Sequence, residues 1–136
     1  MEIRYRSNIK ITAEEFIDLL KRSTLDQRRP VNDPERIKKM LEHGNVLVTA
    51  WHEEKLVGIS RAVTDFSFCC YLSDLAVDET YQHKGIGKEL IRLTHEVSGP
   101  DTMLMLLAAP KAVNYYPKIG MQKFEHCFII NRKNQA

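Results

Sequence analysis

Residues 74–91 read DLAVDETYQHKGIGKELI. An apolar strand ends here, a polar turn follows, and a helix opens with Gly85 and Gly87 two positions apart. Upstream, CCYLSDLAV (residues 69–77) is apolar at nearly every position, the pattern of a strand covered on both faces and so central in its sheet. Downstream, Ile86, Leu90, Ile91 and Leu93 recur at helical spacing, which predicts a helix from about Gly85 to Val97. At such a junction several backbone N–H groups lack intrahelical acceptors, and the helix dipole adds partial positive charge, so an anion is favoured. Gly85 and Gly87 let a ligand approach the main chain closely, and Lys84 and Lys88 add charge. A phosphate or pyrophosphate suits this turn; a plain strand-to-helix turn that uses glycine for steric reasons accounts for Gly-x-Gly equally well.

Two familiar phosphate motifs are absent. The nucleoside-triphosphate loop requires Gly-x-x-x-x-Gly-Lys followed by Ser or Thr, but Gln82 stands where the first glycine belongs and Glu89 follows Lys88. The dinucleotide fingerprint Gly-x-Gly-x-x-Gly has Leu90 in place of its last glycine, and here the turn comes midway through the chain, after a hairpin.

The remaining elements can be read outward from this turn. EIRYRSN alternates as a first strand. TAEEFIDLLKRS opens with Thr12 as N-cap and Glu15 three residues on, a capping box, with Phe16, Leu19 and Leu20 on one face. DPERIKKMLEHG repeats the logic, with Asp33 before Pro34, an Ile37/Met40/Leu41 stripe and Gly44 as the stop. NVLVTAWHEEKLVGISRAVTDF is a hairpin about the polar turn His52 to Lys55. After the central strand and its helix, TMLMLLA reads as a buried strand, PKAVNYYPKIG as a short helix and QKFEHCFII as a closing strand. The order is β-α-α-β-β-β-α-β-α-β, and a mixed α/β (α+β) sheet with helices on both faces is expected. With 136 residues and no repeat or linker-like stretch, residues 1–136 read as a single domain.

Composition excludes several function classes. The chain carries 20 Lys+Arg against 18 Asp+Glu, a formal net charge of +2, so nothing electrostatic points to nucleic acid as a partner. MEIRYRSNIK has no apolar signal-peptide core, and no run is long enough to cross a bilayer, which predicts no membrane association and a cytoplasmic location. Cys69, Cys70 and Cys127 lack metal-ligand spacing and read as small buried residues in strands; no metal is expected.

Gln82-x-x-Gly85-x-Gly87 directly after LSDLAV resembles the Gln/Arg-x-x-Gly-x-Gly/Ala signature of the GNAT superfamily of N-acetyltransferases. AVNYYPKIGM (residues 112–121) resembles the same family's Ala-x-x-x-Tyr-x-Lys-x-Gly-Phe stretch. Elements in the family's order surround both motifs from Val46 to Ile130. The resemblance implies a GNAT-like, mostly antiparallel sheet and an acetyl-CoA-dependent transfer of acetyl to a primary amine in a ternary complex. A small-molecule amine is the favoured acceptor; a protein lysine or N-terminus, or a catalytically silent acetyl-CoA-binding module, is the alternative. It further implies that main-chain N–H groups of Gln82, His83, Lys84, Gly85, Ile86, Gly87 and Lys88 cradle the pyrophosphate, and that Leu75, Ala76 and Val77 pair with the pantetheine arm. An N–H near Leu75 would support the thioester oxygen. Tyr116 falls on the family's tyrosine and would protonate the departing thiolate, leaving Tyr115 as a packing residue. For the base, the strands offer only Asp74, which either reaches the amine or simply bonds a neighbouring backbone group or caps a turn. Where many members have Asn three residues before the alanine matching Ala112, this chain has Ala109. A homodimer, supported by the apolar last strand, is compatible with the family. The acceptor would lie near STLDQRRPVNDPE and the strand ends at Thr64 to Ser67.

Overall fold

The computed structural model describes residues 1–133. Five strands form one sheet in the order β1-β2-β3-β4-β5: Arg4–Ser7, Val46–His52, Lys55–Thr64, Cys69–Val77 and Met103–Met105. The first three pairings are antiparallel and β4–β5 is parallel. This mixed, mostly antiparallel sheet with helices on both faces is the expected fold class.

Helices α1 (Ala13–Ser23) and α2 (Pro34–His43) cover one face. The capping box forms as read: the Glu15 amide donates to Thr12 Oγ1 (3.0 Å) and the Thr12 amide donates to Glu15 Oε1 (2.9 Å). Phe16, Leu19, Leu20 and Ile37 are wholly buried and pack with Leu56, Ile59 and Ala76 of β3 and β4. Each such side chain is worth about 1.5–3 kcal/mol of transfer free energy, so this face holds the layer together. Helix α3 (Ile86–Ser98) covers the other face, placing Ile86 and Leu90 against Val46, Val48, Ala50 and Val57. Gly58 lies beneath it: a Cβ there would stand 3.1 Å from Leu90 and 3.2 Å from Ile86.

A β-bulge changes which face β4 presents. Arg61 pairs with Asp74 but Ala62 pairs with Leu72, so Ser73 is the extra residue. In a regular strand, residues six apart share a face. Here Ala76 joins the α1 cluster, while Cys70 lies on the α3 side with its thiol donating to Ser98 Oγ (3.3 Å). The bulge accounts for the switch.

Three expectations need correction. The buried strand read over residues 102–108 is only the three residues of β5, with Met103 and Met105 exposed. The short helix read over residues 110–120 divides into a 3₁₀ turn, Pro110–Ala112, and a four-residue helix α4, Tyr115–Lys118; Pro117 within it supplies no N–H to extend the ladder. The closing strand read over residues 122–130 does not form: the segment pairs with no described strand and every residue in it is exposed, so its pattern lacks a partner within the described chain. Cys69 and Cys127 are likewise exposed, and only Cys70 is buried.

Candidate functional site

The link from β4 to α3 is built as a braced turn. Asp78, 4% exposed, accepts from the Thr80 amide and hydroxyl (both 2.8 Å) and from Arg22 Nη1 (2.6 Å), while Arg22 Nη2 donates to the Leu56 carbonyl (2.8 Å). Burial pushes the Asp78 carboxyl up, but the bonds from Arg22 and Thr80 outweigh it and hold it below the usual carboxylate range. The turn is thereby tied to α1 and β3. Gln82 Nε2 donates to the Val77 carbonyl (3.0 Å), folding the turn back onto the end of β4.

Within the turn the backbone enters the left-handed region twice. Gln82 has φ −71°, His83 φ 65° and Gly85 φ 80°. Backbone whose φ alternates in sign can turn neighbouring amides toward an anion, as in backbone nests. The Glu89 amide donates to the Gly85 carbonyl (3.1 Å), so the Ile86, Gly87 and Lys88 amides precede the helix's ladder. A Cβ at Gly85 would meet nothing within 4 Å, so the space beside Gly85 is open. Lys84 and Lys88 are exposed at its rim.

The strand leading into this turn is half open. β4 pairs with β5 only over Cys69 to Tyr71, so from Leu72 to Val77 its β5-side edge has no strand beside it among the described residues. Leu75, Ala76 and Val77 lie on this unpaired stretch, which leads along the chain into the Gln82 to Lys88 turn. Open strand edge and open amides form one continuous track.

The two tyrosines of α4 sit edge to face, their centroids 5.2 Å apart. The packing role expected for Tyr115 is corrected: it is 37% exposed, and its hydroxyl lies 3.2 Å from where a Cβ on Gly87 would stand. Tyr116 is the more enclosed of the pair. Burial, and then the neighbouring Tyr115, push its phenol above the usual tyrosine value, so it stays protonated throughout the neutral range. Tyr115 is raised by burial alone.

Asp74 is fully buried, and each carboxylate oxygen is held by a guanidinium, Oδ1 by Arg29 Nε and Oδ2 by Arg61 Nε. Arg29 also donates to the Ser73 carbonyl (2.7 Å), and Arg61 to the Met40 carbonyl (3.1 Å) and Ser73 Oγ (3.2 Å). A Cβ on Gly44 would stand 3.0 Å from Arg61 Cγ, so glycine there makes room for the arginine stem. Both Asp74 oxygens face inward to cations, and the residue neither caps a turn nor accepts from a backbone amide, as its non-catalytic reading expected it to. Neither arginine had been singled out in the sequence, because the contact spans 45 residues in one case and 13 in the other.

The loop expected to border the acceptor is thus anchored to β4 through Arg29. Its acidic residues are partly spent on local structure: Asp33 caps α2 by accepting from the Arg36 amide (3.2 Å), and Glu35 pairs with Lys38 (3.2 Å). The surface carries hollows near these elements. One of about 310 Å³ adjoins the turn, between α3 and the segment after α4, lined by Gly85, Lys88, Arg92, Ile119 and Met121. A larger one, about 500 Å³, lies at the β1 edge beside Trp51, His52 and Glu54. Among the described residues no cluster of three His, Cys, Asp or Glu has metal-binding geometry, and no helix is long and apolar enough to cross a membrane.

Comparison with known proteins bears on the family and the fold. The model of the acetyltransferase (GNAT) family matches residues 13–121. The GCN5-related N-acetyltransferase 2, chloroplastic, of Arabidopsis thaliana is 33% identical over 72 residues, 52% of this chain and 28% of that protein. The chain thus spans less than a third of that relative's length. A GNAT-family acetyltransferase of Streptococcus pneumoniae superposes with a TM-score of 0.71 at 21% identity, covering 97% of this chain and 100% of that one. An aminoglycoside N-acetyltransferase in complex with CoA superposes with a TM-score of 0.73 at 14% identity, covering 97% and 95%. At these identities the two structures bear on the fold alone.

Proposed function

The chain belongs to the GNAT acetyltransferase family, and from that premise we propose that it binds acetyl-CoA along the β4 track and transfers the acetyl group to a primary amine, with a small molecule as the favoured acceptor. The observation that carries this reading is the continuity of the unpaired β4 edge at Leu75 to Val77 with the open amides of the Gln82 to Lys88 turn. The pyrophosphate would take the amides, with Lys84 and Lys88 supplying charge. The pantetheine arm, an extended chain bearing amides, would pair with the strand edge as another strand does. The hollow between α3 and Met121 would receive the nucleoside end.

In the reaction the amine nitrogen attacks the thioester carbonyl carbon and a tetrahedral oxyanion forms, supported by a main-chain N–H near Leu75. The C–S bond then breaks, and the thiolate takes a proton from Tyr116, whose place in the family motif assigns it this role. A thiol of pKa about 8.5 holds a proton more weakly than an alkyl amine of about 10.4 and is within reach of a phenol of about 10. Asp74 serves to hold β4, Arg61 and the Arg29 loop in register, and the amine loses its proton to water. Tyr115, with its hydroxyl at Gly87, contacts the bound cosubstrate.

Calorimetric titration with acetyl-CoA, with ATP and NAD as controls, tests the binding half of this reading. Micromolar or tighter binding of acetyl-CoA alone is expected; a folded protein that binds none of the three would overturn it. A panel of small amines, peptides with free N-termini and lysine peptides then tests transfer, and cosubstrate binding without turnover on any of them would identify a silent binding module.

A further inference from the structure

Four consecutive residues between β4 and α3, Gln82 to Gly85, are exposed, and they are strung between two anchored neighbours. Downstream, Ile86 is buried in the cluster that joins α3 to β2 and β3. Within the exposed stretch His83 holds φ 65°, a left-handed conformation that a non-glycine residue keeps only where its surroundings impose it. The upstream anchor therefore bears on the shape of the whole turn. That anchor is Tyr81.

The Tyr81 ring packs, partly buried, against the same α3-side cluster as Ile86. Its hydroxyl shares a hydrogen bond with His52 Nδ1 (2.7 Å), and the two rings meet edge to face with centroids 5.5 Å apart. Lys55 Nζ stands over the Tyr81 ring, 5.4 Å from its centroid and within the range of a cation–π contact, and lies 3.8 Å from Asp78 Oδ2. His52 and Lys55 face each other across the Glu53–Glu54 turn, so one hairpin end grips both the hydroxyl and the face of the tyrosine. Arg22 fixes the start of the link through Asp78; this grip fixes the last residue before the exposed stretch.

We propose that Tyr81 is a positioning residue: gripped by His52 and Lys55, it holds Gln82 to Gly85 in the form that presents the amides of the turn. The inference rests on the reading of that turn as the pyrophosphate site, and it gives the end of the β2–β3 hairpin a part in cosubstrate binding.

NMR on the full chain reads the effect at His83, since a positive φ brings a residue's amide and α protons closer together than a negative φ does. The native chain should show this close approach. Tyr81→Phe, which removes only the hydroxyl, and His52→Ala should each weaken it. Both should also raise the dissociation constant for acetyl-CoA, measured by calorimetry, about three- to tenfold, the span of one hydrogen bond. His52→Asn, which returns a polar atom to the place of Nδ1, should restore the His83 contact and the affinity together. Variants that keep the contact at native strength, or lose it only along with native chemical shifts throughout the chain, would overturn the proposal. So would variants that bind acetyl-CoA as tightly as a native chain that binds it. If the native chain binds no acetyl-CoA while the variants still release His83, the grip stands and the cosubstrate reading falls instead.

Discussion

The Tyr115 hydroxyl stands 3.2 Å from the point a Gly87 Cβ would occupy. A methyl group there presses on the phenol and fills the approach to the amides of the turn. Gly87→Ala should therefore weaken acetyl-CoA binding by about tenfold, equivalent to about 1.4 kcal/mol. Thermal stability should change little, because the neighbour a methyl meets is the far end of the Tyr115 side chain and alanine suits a helix's first turn better than glycine. Calorimetry on the variant, alongside a melting curve, checks both halves.

The paired tyrosines predict a division of effects. Tyr116→Phe should lower kcat about 100-fold or more while leaving the KM for acetyl-CoA within about threefold, as expected for loss of a general acid. Tyr115→Phe should raise that KM and spare kcat. The opposite pattern would transfer the acid role to Tyr115. Burial raises the Tyr116 phenol, so no loss of rate from its ionisation is expected below about pH 10. With the amine shedding its proton to water, kcat/KM should instead climb through the neutral range toward the amine's own pKa in a steady-state pH profile.

Asp74 predicts a stability effect. Replacing it with Asn leaves Arg29 and Arg61 beside a buried site without their counter-charge, a change that costs about 3–5 kcal/mol when an ion pair is broken from one side. Urea denaturation should show this loss. Turnover of the fraction that remains folded should fall far less than a missing catalytic base would require.

Asp65 predicts an acid-sensitive hairpin. Its carboxylate accepts from the Phe68 (2.7 Å), Ser67 (2.9 Å) and Cys69 (3.1 Å) amides, which lower its pKa from 3.8 to about 2. Because the folded value lies below the unfolded one, the contribution is present above about pH 4 and fades as pH falls toward 2. Asp65→Ala should therefore lower Tm relative to the native chain at pH 6, and the two melting curves should converge as the pH approaches 2.

Much of this molecule was decided by signals carried within a few residues. The Thr12/Glu15 capping box, the Phe16, Leu19 and Leu20 stripe and the hairpin from Val46 to Thr64 depend on spacing along the chain, and each forms where it was read. So does the turn: Gly85 adopts φ 80°, and a helix begins at Ile86. The family resemblance at Gln82-x-x-Gly85-x-Gly87 is likewise a local pattern. What only the tertiary structure decided depends on partners distant in sequence. Asp74 meets Arg29 and Arg61 because the loop before α2 and strand β3 converge on β4, and nothing adjacent to Asp74 encodes that meeting. The bulge at Ser73 moves Cys70 to the opposite face from Ala76, which strict alternation hides. Tyr115 reaches Gly87 across the fold, although its place before Tyr116 suggested packing. Residues 122–130 carry a strand's alternation, but a strand exists only beside a neighbour with free amides and carbonyls, and none of the described strands lies beside them. Helix caps and turns satisfy their own backbone locally, so sequence determines them; sheet edges and buried charges are satisfied only by whatever the fold brings to them.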